Sequence, residues 1–213
     1  MKKIKKEYYF IAILLVCFTI LTLFVVGNKT NYIDEFVYNN IIKLKSELLT
    51  SILYVITNIG STFGTFCVVT LVCIIFFKNK NLSDLKYVIS NVGIGVLLMQ
   101  SLKHIIKRIR PAWKWIVQGG FSYPSGHTIS CVVLYGTLIL LVSKRVKGKF
   151  KTPLIIFFSL MIFLISVSRI YFCVHYVTDV VAILILGSVI LIISNIFIER
   201  EIDNDKNKDR KNI

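Results

Sequence analysis

Acidic residues are scarce in this 213-residue chain: 11 Asp and Glu stand against 26 Lys and Arg, a formal net charge of +15. In a soluble protein that imbalance would point to nucleic acid. Here the basic residues gather in short segments between apolar runs, as membrane topology signals do, so no nucleic-acid partner is expected. Cysteine is sparse and never spaced as Cys-x-x-Cys. Cys17, Cys67, Cys73, Cys131 and Cys173 fall in or beside apolar runs. That pattern indicates neither a zinc site nor a disulfide framework, and it predicts buried free thiols. The central thirds of the apolar runs lack ionisable residues, which a channel or transporter pathway would need. The N-terminal run lacks the short apolar centre and small-residue cleavage site of a signal peptide. It reads as an uncleaved first transmembrane helix.

What is abundant is apolar surface. Hydrophobic residues make up 55% of the chain, and the mean hydropathy is +0.73. A soluble domain of this size could not bury that much, so the chain reads as an integral membrane protein. Six apolar runs stand out, at residues 8–26, within 50–77, and at 85–102, 128–142, 153–167 and 180–198. Residues 28–49 carry Ile33, Phe36, Val37, Ile41, Leu44 and Leu48 at three- and four-residue steps. This pattern predicts an amphipathic helix on the outer membrane surface, with a loop packed on the helix ends as the alternative. Gly60-x-x-x-Gly64 in the second run permits close helix approach. Asn81 or Ser83 can cap the third helix. That helix is polar for a span (Ser90, Asn91, Gln100, Ser101) and is expected to face other helices. Trp113 and Trp115 suit headgroup depth.

The expectation is an all-α, six-helix membrane domain over residues 1–213 with both termini inside. Residues 199–213 are predicted to form a disordered cytoplasmic tail. The basic residues agree in sign: 17 lie in segments assigned inside and nine in those assigned outside. The outer excess is concentrated at residues 103–114.

This topology gathers three outer segments that carry chemistry. In the first, Lys103 and Arg110 are cations suited to phosphate oxygens, as is Arg169 in the third. In the second, Ser125 and Gly126 open the fourth span, where free N–H groups and the helix dipole favour an anion. His127 beside them can give and take protons. In the third, His175 and Asp179 lie four apart. On a helix they would share a face, with the carboxylate orienting one imidazole nitrogen and leaving the other outward as base or nucleophile. Each piece alone has an ordinary reading: a solvated basic loop, a turn with a helix cap, a satisfied structural pair. Their convergence on one face is what argues for a site. His104 lies outside the pattern and reads as interfacial.

Lys103-x6-Arg110-Pro111, Pro124-Ser125-Gly126-His127 and Ser168-Arg169-x5-His175-x3-Asp179 resemble, position by position, the three-part signature of the type 2 phosphatidic acid phosphatase superfamily. That family also holds vanadium haloperoxidases and bacterial acid phosphatases. The motifs span residues 103–179, and the six-helix layout extends the likeness over nearly the whole chain. The small bacterial membrane lipid phosphatases are the similar branch. The resemblance implies phosphoryl transfer without metal or other cofactor. His175 would be the nucleophile, with Asp179 holding its tautomer. His127 would be acid and then base. Lys103, Arg110, Arg169, the Ser125 hydroxyl and the Gly126 N–H would hold the phosphate oxygens.

The implied partners are membrane lipids and a lipid phosphate or diphosphate, met at the outer face of a bacterial cell membrane. Undecaprenyl diphosphate is the leading candidate substrate. Phosphatidylglycerophosphate and phosphatidic acid are the alternatives. Lys107, Arg108 and Lys114 are extra cations, able to bind a second phosphate or to meet an anionic surface. Readings of other classes are a lipid or glycan phosphotransferase, which the same machinery would serve, and a non-enzymatic lipid transporter.

Overall fold

The computed structural model describes residues 2–211, with side chains described for 6–204. Among the described residues eight α-helices follow one another: α1 (Lys2–Val26), α2 (Asn31–Ile41), α3 (Glu47–Ile59), α4 (Thr62–Lys78), α5 (Leu82–Ile106), α6 (Gly126–Arg145), α7 (Lys151–Tyr171) and α8 (Val177–Lys211). A 3₁₀ turn, Ile42–Leu44, separates α2 from α3. No strand occurs among the described residues. α1, α5, α6, α7 and α8 are each long and apolar enough to cross a membrane. The α3–α4 pair, taken as one span, makes six.

That pair is the span expected within residues 50–77, broken into two helices. The chain bends by 56° between α3 and α4. Ser61 starts a new helix there, its hydroxyl accepting from the Gly64 N–H at 3.0 Å. The two glycines do different work. A Cβ on Gly60 would overlap Ile165 of α7, so this residue lets the helices approach. A Cβ on Gly64 would overlap the carbonyls of Asn58 and Ile59, so this residue permits the bend itself.

α6 forms the axis of the bundle, with α5, α7 and α8 around it and α1 outside α8. Lipid tails are as apolar as Leu, so helices in a membrane cohere through close packing and internal hydrogen bonds. Asn91 of α5 supplies such bonds, donating to Thr137 Oγ1 of α6 at 2.8 Å and Ser194 Oγ of α8 at 2.9 Å. Asn91 therefore faces its neighbours as expected, whereas Ser90, Gln100 and Ser101 are exposed. The buried-thiol expectation holds for Cys131 and Cys173, but Cys17 and Cys67 face outward. Asn81 caps α5, accepting from the Asp84 N–H.

Two segments differ from expectation. The charged stretch after residue 198 continues α8 as a helix to Lys211; residues 212–213 lie outside the described residues. Polar contacts hold this extension to the bundle. Lys144 pairs with Glu199 at 2.8 Å, and Glu201 accepts from Ser83 and from Tyr87. The amphipathic segment is the short α2. Its Ile33 and Phe36 are exposed, as a surface helix requires, but Asp34 is buried against the start of α8.

Candidate active site

The three sequence segments meet where α5 and α7 end and α6 and α8 begin. Lys103 sits in the last turn of α5 and Arg169 in the last turn of α7. Ser125 is the N-cap of α6, with Gly126 and His127 opening that helix. His175 lies two residues before α8, and Asp179 is in its first turn. The His–Asp pair therefore bridges a turn and a helix start and does not share a helix face.

His175 is buried, and its tautomer follows from its neighbours. Arg110 Nη1 lies 3.0 Å from His175 Nε2. A guanidinium only donates, so Nε2 must accept. Nδ1 then carries the proton and donates to Asp179 Oδ2 at 3.3 Å. Burial pushes the imidazole pKa down to about 4, against the pull of Asp179 and with the repulsion of Arg110 and Arg169. At neutral pH the ring is uncharged, with a lone pair on Nε2.

Asp179 is fully buried, and donors surround its carboxylate. Oδ2 also accepts from the Ser122 hydroxyl and, at 3.0 Å, from the Tyr176 N–H. Oδ1 accepts from Arg108 Nη1 at 2.6 Å. Both oxygens are thereby anchored, which fixes the orientation of the His175 ring.

Lys103, Arg110, Gly126, His127 and His175 line one cavity of about 500 Å³. Ser125, Arg169 and Asp179 are not among the residues lining it. The Ser125 hydroxyl accepts from Thr128 Oγ1 at 3.0 Å, leaving its own proton to donate. Arg169 is fully buried. It donates to Thr57 Oγ1 at 2.6 Å and to Gln118 Oε1 at 3.0 Å, while its Nε finds no partner.

A single loop meets all three cations. Lys103 donates to the Phe121 carbonyl at 2.5 Å. Arg110 Nε donates to the carbonyls of Gly119 at 3.1 Å and Gly120 at 3.0 Å. Gln118 takes the bond from Arg169. Three positive groups thus converge on neutral oxygens, an arrangement that favours an anionic ligand over the loop's own carbonyls.

The far wall of the cavity is apolar, with Phe66 and Val69 from α4 and Val92, Val96 and Met99 from α5. Val92 lies eleven residues before Lys103 on one helix, about 16 Å towards the middle of the span. The cavity therefore joins a cationic end to an apolar groove. A larger groove of about 880 Å³ lies where α5 begins, with Lys86, Tyr87, Arg200 and Glu201 in its wall. It contains no histidine, and the chemistry selects the smaller cavity.

Sequence reasoning missed Ser122, Thr57, Gln118 and Asp34. The first three carry no signal in spacing. Asp34 did, because it shares a face of α2 with Val37 and Ile41, where a carboxylate needs a partner. Arg108, expected among the free cations, is that partner, at 2.7 Å. Lys107 and Lys114 are exposed, and Lys114 donates only to the Gln118 carbonyl at 3.4 Å.

A helical membrane bundle with a buried imidazole beside a cation cluster defines an integral-membrane phosphotransfer enzyme. The PAP2 superfamily profile matches residues 84–203, more than half the chain, and the chain belongs to that superfamily. It is a membrane phosphatase, a phosphoric ester hydrolase. Phosphatidylglycerophosphatase B of Bacillus subtilis (strain 168) is 28% identical over 187 residues, covering 86% of this chain and 92% of the relative. The crystal structure of a transmembrane PAP2-type phosphatidylglycerolphosphate phosphatase from Bacillus subtilis superposes with a TM-score of 0.83 at 25% identity, over 90% of this chain and 97% of that one. Aquifex aeolicus LpxE shares the fold, with a TM-score of 0.58 at 23% identity, over 75% of this chain and 90% of that one.

Proposed function

We propose that this chain hydrolyses phosphatidylglycerophosphate, releasing inorganic phosphate through a phosphohistidine intermediate on His175. The observation that carries the proposal is the neutral His175 Nε2, in contact with Arg110 and sharing with Lys103 and His127 one cavity that opens into an apolar groove. The phosphate dianion replaces the loop oxygens on the three cations, and its diacylglycerol chains follow the groove along α4 and α5. Nε2 attacks phosphorus as the bond to the glycerol oxygen breaks. The Nδ1–H bond to Asp179 stabilises the imidazolium character that develops. His127, protonated from solvent once the bound dianion offsets the surrounding cations, gives that proton to the leaving oxygen and then takes one from the water that attacks the phosphohistidine. Lys103, Arg110, Arg169, the Ser125 hydroxyl and the Gly126 N–H hold the equatorial oxygens, where charge is stabilised in the transition state.

Phosphatidylglycerophosphate takes precedence over undecaprenyl diphosphate for two reasons. The B. subtilis relatives are named for that substrate over most of their length. The second-phosphate argument also weakens, since Arg108 is engaged by Asp34 and Asp179. The site is assigned to the outer face of a bacterial cell membrane, with both termini inside, on the excess of Lys and Arg in the inner segments. The test is phosphate release by purified protein in detergent from phosphatidylglycerophosphate, phosphatidic acid and undecaprenyl diphosphate. The first should have the highest kcat/KM, and His175→Ala should abolish release. A preference for undecaprenyl diphosphate would overturn the substrate assignment.

A further inference from the structure

We infer that Asp34 and Arg108 are positioning residues for the reaction, forming a buried bridge from α2 that holds Asp179 in register with His175. The inference rests on the roles proposed above for those two residues and extends them to α2, no residue of which lines the cavity of about 500 Å³.

The bridge is built on one guanidinium. Arg108 Nη1 donates to Asp179 Oδ1 at 2.6 Å and to Thr178 Oγ1 at 2.8 Å. Its Nη2 donates to Asp34 Oδ2 at 2.7 Å and to Thr30 Oγ1 at 3.3 Å. The cation lies 3.9 Å from the centre of the Tyr176 ring, a contact worth more in a desolvated place. Asp34 in turn accepts from the Thr178 N–H at 3.2 Å, and the Thr178 hydroxyl lies within 3.0 Å of both its oxygens. The side chain of Asp34 is 1% exposed and that of Asp179 is fully buried. Removing one partner of such a group leaves a buried charge uncompensated.

The arrangement has a chemical consequence. Arg108 takes Oδ1 of Asp179, so Oδ2 alone is left for His175 Nδ1. Arg108 without Asp34 would place its whole charge on Asp179 and draw negative potential away from the imidazole. Asp34 shares that charge. Burial alone would disfavour the guanidinium, but Asp179 and Asp34 outweigh it and raise its pKa. α2 is therefore more than a surface helix. Its inward carboxylate sets how strongly Asp179 supports the nucleophile.

The experiment measures phosphate release from dioctanoyl phosphatidic acid by detergent-purified wild type, Asp34→Asn, Arg108→Gln and the double variant. Inorganic phosphate serves as competitive inhibitor, and melting is followed in parallel. Outer partners that orient a metal-bound imidazole are worth on the order of 10- to 100-fold in activity, and the same scale applies to a partner that orients Asp179. The expectation is a kcat lower by about 10-fold in Asp34→Asn and about 100-fold in Arg108→Gln, the double variant falling no further than Arg108→Gln. KM and the inhibition constant for phosphate should stay within about two-fold. Should a neutral variant fail to fold, Asp34→Glu and Arg108→Lys retain the charges and carry the same test: kcat falls while KM holds. Unchanged kcat in folded Asp34→Asn would reduce the bridge to a structural tie and overturn the inference. A rise in KM and in the phosphate inhibition constant in Arg108→Gln would make Arg108 a phosphate contact and overturn it too. Phosphate release that survives His175→Ala would instead defeat the nucleophile assignment itself.

Discussion

Replacing Asp179 by Asn tests the tautomer argument with almost no change of shape. Four donors converge on this carboxylate: Arg108 Nη1, the Ser122 hydroxyl, the Tyr176 N–H and His175 Nδ1–H. An amide offers one acceptor oxygen where the carboxylate offers two. If the new NH₂ faces Arg108, two donors oppose each other, because guanidinium cannot accept. If it faces His175, the ring must turn its proton to Nε2, the atom that should attack phosphorus. Either outcome removes the negative charge that supports the developing imidazolium. A wrong tautomer in an orienting Asp–His pair costs about 10⁴ in kcat. Here the charge and tautomer effects together should lower kcat by about 10³- to 10⁴-fold, or about 4–5.5 kcal/mol of transition-state stabilisation. KM should change by less than about three-fold, because Lys103, Arg110 and Arg169 are untouched. The bridge from Arg108 would keep only its Asp34 end, so the variant should also melt lower, by the equivalent of about 1–3 kcal/mol. The assay is steady-state phosphate release with melting of both proteins in the same detergent. A folded variant that keeps kcat within ten-fold, or loses activity through KM alone, would refute the reasoning.

Other consequences are equally concrete. Burial pushes the His175 imidazole down to about 4, so its protonation should lower kcat/KM as pH drops through about 4, beneath the separate limb at about 6 that the second ionisation of the substrate phosphate sets. The folded pKa of His175 lies below its unfolded one, so stability should decline as pH falls from 6.5 towards 4, and His175→Ala should flatten that slope in pH-dependent melting. Val96→Trp places a large ring in the apolar groove. It should raise KM at least ten-fold for long-chain phosphatidylglycerophosphate while sparing a dioctanoyl substrate; equal losses would mean the chains do not lie there. Gly64→Ala forces a Cβ onto the carbonyls of Asn58 and Ile59. It should destabilise the fold by about 1–3 kcal/mol, read as a lower melting temperature.

The sequence announced the site more fully than the scaffold. Lys103, Arg110, Gly126, His127 and His175 could be gathered from topology alone, because each stands where an apolar run meets a polar segment. The bend at Gly60 was not legible in that way. Hydropathy measures how long a segment can lie in lipid, and both arms of the α3–α4 pair are apolar. The continuation of α8 to Lys211 was hidden for the opposite reason. Its charged composition reads as tail, and only long-range contacts such as Lys144 with Glu199 hold its first turns in place. Arg108 was visible as a cation but not as a partner of Asp34, since 74 residues separate them and only the fold closes that distance.

The account turns on covalent chemistry at one atom. Rapid quenching of the protein with ³²P-labelled phosphatidylglycerophosphate, followed by acid–base stability tests and peptide mapping, reads that chemistry directly. An acid-labile, base-stable phosphoryl group on the peptide carrying His175, absent from His175→Ala, is the predicted result. Turnover with no such intermediate, or with label on another residue, would contradict it.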